Sequence, residues 1–386
     1  MQANWPTIID KALTFRHQLH RLPELPWQER NTAKTIRANL NELNIPWREC
    51  ARNGTVATLA ANASGQHIAL RADIDALPIQ EATELSFQSE NNGCMHACGH
   101  DGHTAALWAT AAWLKLHESQ LSGPVSLLFQ PAEEGGHGAR EMIDAGALEG
   151  IDVIYGWHNW PAIPFGQAVC PDGAIMSGNG TFAITVKGRG GHGSQPELCR
   201  NPVSAAAAIT MNLQQIVSQR IQPQDAAVVV ITSIDAPSGP TVIPETARLA
   251  GGIRISRPHL RTEINNLIRQ ISEDTARSYG VEALVDIQPR YDATINHSDP
   301  ARLYRQCLKE ILGNDWCMTL LPLPVMASED FSYYLQQIPG AFALIGMADD
   351  NRFNTPCHSP HYQFNDAVIA PVVKVFSRLV GITPPS

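Results

Sequence analysis

The chain has 386 residues, 44% of them hydrophobic and 17% charged, with a net charge of −9. At ~100–200 residues per domain that length predicts two domains, and the acidic balance, with no Lys/Arg cluster, excludes a nucleic-acid partner. No apolar run is long enough to cross a bilayer and the N-terminus lacks a secretory pattern, so a cytoplasmic protein with no membrane partner is expected.

Helices are predicted over Ile8 to His20 and Gln28 to Leu43. The run Gln66 to Ile74 reads as a buried strand that ends at Asp73 and Asp75, the sheet edge where α/β proteins place their sites. Asp101 is expected to cap a helix that runs to Leu116. Val125 to Gln130 and Asp152 to Gly156 are the next strands, and the alternation predicts a mostly parallel sheet covered on both faces. The order then changes to strand (Thr181 to Lys187), helix (Pro202 to Gln219), strand (Ala226 to Ile234), strand (Ala247 to Ser256), helix (Pro258 to Tyr279) and strand (Glu282 to Gln288). This is a β-α-β-β-α-β unit. Further elements follow at Ala301 to Leu312, Glu329 to Gln337, Ala341 to Gly346 and Asp366 to Val380. The expected fold is α/β: a discontinuous first domain of residues 1–178 plus 296–386, with residues 179–295 inserted in it.

Chemistry concentrates in Met95 to Thr104, in Glu133 and Glu134, and in His158 and His358. Cys98 and His100 are two apart, which puts both side chains on one side of an extended loop ahead of the Asp101 cap. Glu134 and His158 follow strands, and His358 would return to the same rim. Thiolate, imidazole and carboxylate together suit borderline divalent ions, Zn, Mn, Co or Ni, and argue against an all-oxygen Ca or Mg site. Any one of these residues alone reads equally as a core thiol or packing histidine; the five together read as metal ligands. Asp73, Asp75, His96, Asp101 and His103 are expected to orient ligands, with a local helix-start role open for the last three. His17, His20 and His137 read as surface or packing histidines. The 8 cysteines show no disulfide spacing and read as buried thiols, Cys98 excepted.

The segments Arg71 to Pro78, Met95 to Thr104, Gln130 to Gly135, Gly188 to Gly193, Ser328 to Phe331 and His358 to His361 resemble, in this order, the amidohydrolase branch of the aminoacylase/carboxypeptidase metallopeptidases. That branch includes hydrolases of hippurate, auxin conjugates and N-acetyl-diaminopimelate. The resemblance covers about Arg16 to Phe376. It implies a zinc-peptidase-like three-layer catalytic domain, a ferredoxin-like satellite domain for dimerisation, and two divalent metal ions held by Cys98, His100, Glu134, His158 and His358. The substrate implied is an N-acyl amino acid, cleaved at its amide bond by a homodimer. Glu133 is implied as general base; in an extended segment it would point away from Glu134 and face the water. His192 in its glycine-rich turn resembles the family's oxyanion donor, which often comes from the neighbouring subunit. Arg254 is the candidate fork for the substrate carboxylate, against a plain surface salt bridge. Two positions depart from the family pattern: Thr241 replaces an Asn, and Cys357 replaces an aliphatic residue ahead of His358. The rivals are a metallo-dipeptidase or carboxypeptidase, a cysteine hydrolase with Cys98 as nucleophile, and a non-catalytic metal-stabilised binding protein.

Overall fold

Asn4 has an extended backbone and accepts a hydrogen bond from the Thr7 amide at 3.1 Å, and Pro6 fits the first turn, so helix α1 runs over Trp5–Arg21. The computed structural model describes residues 4–349 and 352–385. They form two units: Met1–Ile175 with Ile295–Pro322 and Asp330–Ser386, and Met176–Thr294 with Leu323–Glu329. Residues 323–329 group with the second unit, and not with 296–386 as the sequence reading had it, because Ser177 binds them. Its amide donates to Val325 O and Ala327 O at 2.9 Å, and its hydroxyl to Met326 O at 3.0 Å.

In the first unit, helices α2 (Arg30–Glu42), α3 (His100–Leu116), α4 (Gly138–Asp144), α5 (Ser298–Leu312) and α6 (Ile369–Leu379) accompany a seven-stranded sheet. Its strands are β1 (Trp47–Cys50), β2 (Gly54–Leu59), β3 (Ile68–Asp73), β4 (Val125–Gln130), β5 (Val153–Pro164), β6 (Ala168–Val169) and β7 (Gly340–Ala348), in the order β1-β2-β4-β3-β5-β7-β6. The central strands β4, β3, β5 and β7 are parallel, and β1, β2 and β6 add antiparallel edges. All of β4 is buried, so both faces of the parallel centre are covered. The β1–β2 hairpin escaped the sequence reading because its turn residues Ala51 and Arg52 adopt φ of 47° and 64°, a conformation usually signalled by Asn or Gly. β5 also runs well past Gly156, so His158 lies inside the strand, opposite Leu344 of β7. The element expected over 329–337 is a single short helix, Ser332–Leu335.

Helix α3 is buried continuously from His100 to Ala112, as a helix apolar on every side must be. Its cap is Gly99, at φ 92°, and Asp101 makes no cap bond. Asp101 turns instead to α1, where its Oδ2 accepts from Arg16 Nη1 at 2.9 Å and from His20 Nδ1 at 2.8 Å. His20 Nε2 reaches Glu81 Oε1 at 3.2 Å, so this histidine is a buried ionic group and not a surface one. His17 stacks on Phe87 with ring centroids 3.7 Å apart and meets Asp366 at 2.8 Å.

The second unit carries strands Gly178–Lys187, Ala227–Asp235, Thr246–Ile255 and Glu282–Pro289 with helices Pro202–Leu213 and His259–Ser278, a βαββαβ order. The sheet is antiparallel, with the second, third, first and fourth strands side by side. Alternate residues Phe182, Ile184 and Val186 face a core with Ile209, Leu249 and Ile264, while Thr181, Ala183 and Lys187 are exposed. The first of these helices ends six residues before Gln219, and a π-helical turn, Ile216–Arg220, follows it. Among the described residues, no helix is long and apolar enough to cross a membrane.

Burial opposes a charge on His20, but Asp101 and Glu81 outweigh it and raise the imidazole from 6.5 to about 8. A group whose folded value is raised stabilises fully below its unfolded value and stops doing so as the pH passes its folded value. Urea unfolding is therefore expected to show about 2 kcal/mol of stability lost between pH 6.5 and pH 8. His20→Gln should flatten that window; an unchanged slope would refute the ionic role.

Candidate metal centre

The chain approaches the centre through Gly99, where a Cβ would stand 2.3 Å from Asn159 Oδ1 and 2.7 Å from the Tyr362 hydroxyl. Only glycine fits there, and its left-handed backbone turns the chain sharply between Cys98 and His100. The sequence reading placed both residues on an extended loop. His100 is instead the first residue of α3, yet both side chains meet His158: Cys98 Sγ lies 3.3 Å from His158 Nε2, and the three ligand atoms lie within 4.8 Å of one another.

Glu133 and Glu134 occupy a tight turn, not an extended segment. Gly135 N donates to Glu133 O at 2.6 Å and Ala132 takes φ 53°. The turn brings both carboxylates within 4.8 Å of His100, so the acids do not point to opposite sides. Glu133 is buried, and its Oε1 accepts from Asp330 N at 3.3 Å. Cys98, Glu134 and His358 form a second group within the same limit. His358 has φ 68°, rare for a residue with a Cβ, and its amide is tied to Ala97 O at 2.8 Å.

Hydrogen bonds fix which nitrogen of each buried imidazole carries its proton. His100 Nδ1 lies 3.0 Å from Asp75 O and His158 Nδ1 2.6 Å from Asn159 O; a carbonyl only accepts, so both Nδ1 atoms donate. In the neutral rings both Nε2 lone pairs are then available to a cation. His100 Nε2 is buried with no hydrogen-bond partner. Glu134 Oε1, 3.1 Å from His358 Nε2, likewise has none in hydrogen-bond geometry. Buried polar atoms are rarely left orphaned, and two that share one cluster with a thiol and two further imidazoles fit a divalent cation pair.

The electrostatics agree. Burial opposes a charge on His100, but Asp73, Asp75 and Glu134 push it up to about 10, so the carboxylates demand a positive charge there. Burial and His103 hold His158 well below its usual value, neutral as a ligand must be. The Cys98 thiol is held well above its usual value by the neighbouring Cys357, by burial, and by Glu134 and Glu133.

Behind these groups lies a buried network. Arg71 donates to Asp73 Oδ2 at 2.7 Å, Asp330 Oδ1 at 3.0 Å and Gln130 Oε1 at 2.8 Å. His103 bridges Asp73 Oδ1 at 2.6 Å and Asn159 Oδ1 at 2.7 Å, which is an orienting position. Asp75 accepts the Glu134 amide at 2.9 Å. Glu29 holds the Glu133–Glu134 turn in place: its Oε1 accepts from Ala132 N at 2.9 Å, while burial and Asp75 raise it to about 7. Sequence reasoning missed Glu29, Gln130, Asn159 and the roles of Arg71 and Asp330. The last two stood in recognised motifs, whereas Glu29 carried no signal beyond a helix start. His96 is buried with both ring nitrogens unbonded, and burial lowers it to about 3; nothing in the structure explains it. His137, part-buried, meets the Tyr333 hydroxyl at 2.9 Å.

In the second unit, His192 is exposed on a two-residue strand, opposite Val242. Its Nδ1 accepts from Ser194 N at 3.2 Å, so in the neutral ring Nε2 carries the proton and faces outward as a donor. Thr241, in place of the family's Asn, accepts the Gly193 amide at 2.7 Å through its backbone oxygen. Arg254 donates to Ser328 Oγ at 3.1 Å, and among the described residues no carboxylate pairs with it.

A family model for peptidase family M20/M25/M40 matches residues 69–381. IAA-amino acid hydrolase ILR1-like 2 from Arabidopsis thaliana is 35% identical over 371 residues, covering 95% of this chain and 84% of the relative. Hippurate hydrolase from Campylobacter jejuni is 34% identical over 380 residues and covers 97% of both. A solved structure from Bacillus subtilis, described as a dinuclear metal binding peptidase of the M20 family, superposes with a TM-score of 0.85 at 31% identity, covering 97% of this chain and 98% of that one.

Arg71→Leu would leave Asp73 and Asp330 buried without their shared cation, a loss of about 3–5 kcal/mol by the precedent of broken buried ion pairs. Chemical denaturation measures it; a change under about 1 kcal/mol would mean the network does not carry the charge balance.

Proposed function

The chain belongs to peptidase family M20/M25/M40, and we propose that it is a metal-dependent amidohydrolase that cleaves the amide bond of an N-acyl amino acid, releasing a carboxylic acid and a free amino acid. The observation that carries this reading is the convergence of Cys98, His100, Glu134, His158 and His358 around buried donor atoms that have no hydrogen-bond partner of their own. The identities with hydrolases of IAA-amino acids and hippurate support the substrate class.

In this reading Cys98 belongs to two ligand sets, one with His100 and His158 and one with Glu134 and His358. Two bound ions, Mn, Zn, Co or Ni, would supply Lewis acidity and lower the pKa of the attacking water. The protein's own part begins at Glu133, which accepts the water proton as oxygen adds to the acyl carbon. It returns that proton to the amide nitrogen as the C–N bond breaks, so a neutral amine leaves. The Asp330 amide holds Glu133 Oε1 in place. His192 Nε2–H donates to the oxygen that gains charge, and Arg254 binds the substrate carboxylate, consistent with its lack of an acidic partner.

The first unit, residues 4–175 with 295–322 and 330–385, is then catalytic, and the second, residues 176–294 with 323–329, forms the satellite domain that pairs two subunits. Its outer strand Ala227–Asp235 supports that role, since it leaves Val228, Val230 and Ile234 exposed on a sheet edge. A cytoplasmic location completes the reading. Cys98 as the catalytic nucleophile of amide hydrolysis is disfavoured, because turnover through a thiolate needs a lowered pKa and this one is raised. Peptide-bond cleavage is the second reading, supported by 32% identity to a thermostable carboxypeptidase of Saccharolobus solfataricus; parallel assays of N-acetyl, N-benzoyl and dipeptide substrates decide between them.

Glu133→Gln, assayed with its metal content measured, should lose about 10²- to 10⁴-fold in kcat while keeping its cations. Full turnover in the loaded variant would end the general-base role. His192→Ala should cost about 10²- to 10³-fold in kcat, with recovery in mixed dimers if the residue acts across subunits. Arg254→Ala should raise KM with little change in kcat, and an unchanged KM would sink the carboxylate fork.

A further inference from the structure

Cys357 adjoins Cys98. The His358 amide donates to Ala97 O at 2.8 Å. Cys357 Sγ lies 4.0 Å from Cys98 O, which puts the two residues in contact. Asn159 Nδ2 stands 3.8 Å from Cys357 Sγ on another side. Cys98 is buried and Cys357 partly exposed, while all 8 cysteines are free. Cys357 belongs to none of the ligand groups, although its sequence neighbour His358 belongs to one.

We propose that Cys98 and Cys357 are a redox modification site, joined as a reversible disulfide by hydrogen peroxide. The accessible Cys357 sulfur attacks the peroxide oxygen, giving a sulfenic acid and one water. Cys98 sulfur then displaces hydroxide from that sulfenic sulfur, which leaves with the thiol proton as a second water. Two thiols are oxidised and one peroxide is reduced to two waters, so no further reactant is needed. The contact between the two residues is set by the His358 to Ala97 bond, which removes most of the search that ordinarily limits disulfide closure. Once bonded to Cys357, Cys98 has no thiolate to offer. The consequence for cation binding rests on the ligand role proposed above, but the disulfide does not.

The test treats the metal-loaded protein with hydrogen peroxide, then blocks free thiols and maps the digested peptides by mass. Expected are one cross-linked pair containing Cys98 and Cys357, a loss of two of the 8 titratable thiols, release of cations and loss of turnover, all restored by dithiothreitol. Cys357→Ser should turn over normally before oxidation, form no cross-link, and keep its cations and turnover through the same peroxide treatment. A full thiol count after peroxide, a cross-link between other cysteines, or the same reversible loss in Cys357→Ser would each overturn the proposal. Peptide mapping of the wild type stands even if the variant folds poorly. A cross-link that leaves cations and turnover intact would refute the ligand role of Cys98 and keep the disulfide; chelator-sensitive turnover with no cross-link would refute the disulfide alone.

Discussion

Asp75 is the constraint on which the geometry of this centre depends. Its backbone oxygen receives the His100 Nδ1 proton, and its Oδ2 receives the Glu134 amide. One residue at the end of β3 thus sets the direction of the His100 ring and the position of the turn that carries both acids. β3 lies between β4 and β5 in the sheet, so the segments just beyond β3 and β4 and the middle of β5 deliver Asp75, Glu134 and His158 to one place. The sheet supplies the convergence, and hydrogen bonds from carbonyl and carboxylate choose which atoms face inward.

The second theme is charge. Asp73, Asp75, Glu133, Glu134 and Asp330 crowd a region where Arg71 is the buried guanidinium that pairs with two of them. Carboxylates removed from water are costly unless positive charge compensates, and Arg71 pairs with Asp73 and Asp330. His100 is pushed toward protonation, which marks where positive charge is required. A divalent cation meets the same need more fully than a proton and also gives the orphaned Nε2 and Oε1 atoms a partner. The acidic surroundings and the unbonded donor atoms are therefore two expressions of one electrostatic condition.

Local strain accompanies these demands. Ala132 and His358 adopt positive φ without being glycine, and each is held by a hydrogen bond: Ala132 N to Glu29, His358 N to Ala97 O. Both lie beside or within the ligand cluster, where a strained backbone is the cost of aiming a side chain against its preferred direction. Glu29 illustrates why such supports are hard to read from residues alone. A carboxylate at a helix start looks local, and its reach to a turn 103 residues away depends on packing that no spacing encodes.

The amino-acid sequence by itself determined the alternation of elements, because hydrophobic period and glycine placement act over short range. The order β-α-β-β-α-β, the buried runs at β3 and β4 and the long apolar helix after Gly99 were all legible that way. The residue types of the centre were legible for the same reason, since thiolate, imidazole and carboxylate announce their chemistry without a fold. Only the tertiary structure decided that Asp101 serves Arg16 and His20 and caps nothing, that the two acids share a turn and face one cluster, and that His158 sits inside its strand. Those outcomes hinge on partners 59 to 85 residues apart in the chain, and long-range hydrogen bonds and buried charge pairs come into being only when packing excludes water from both partners at once.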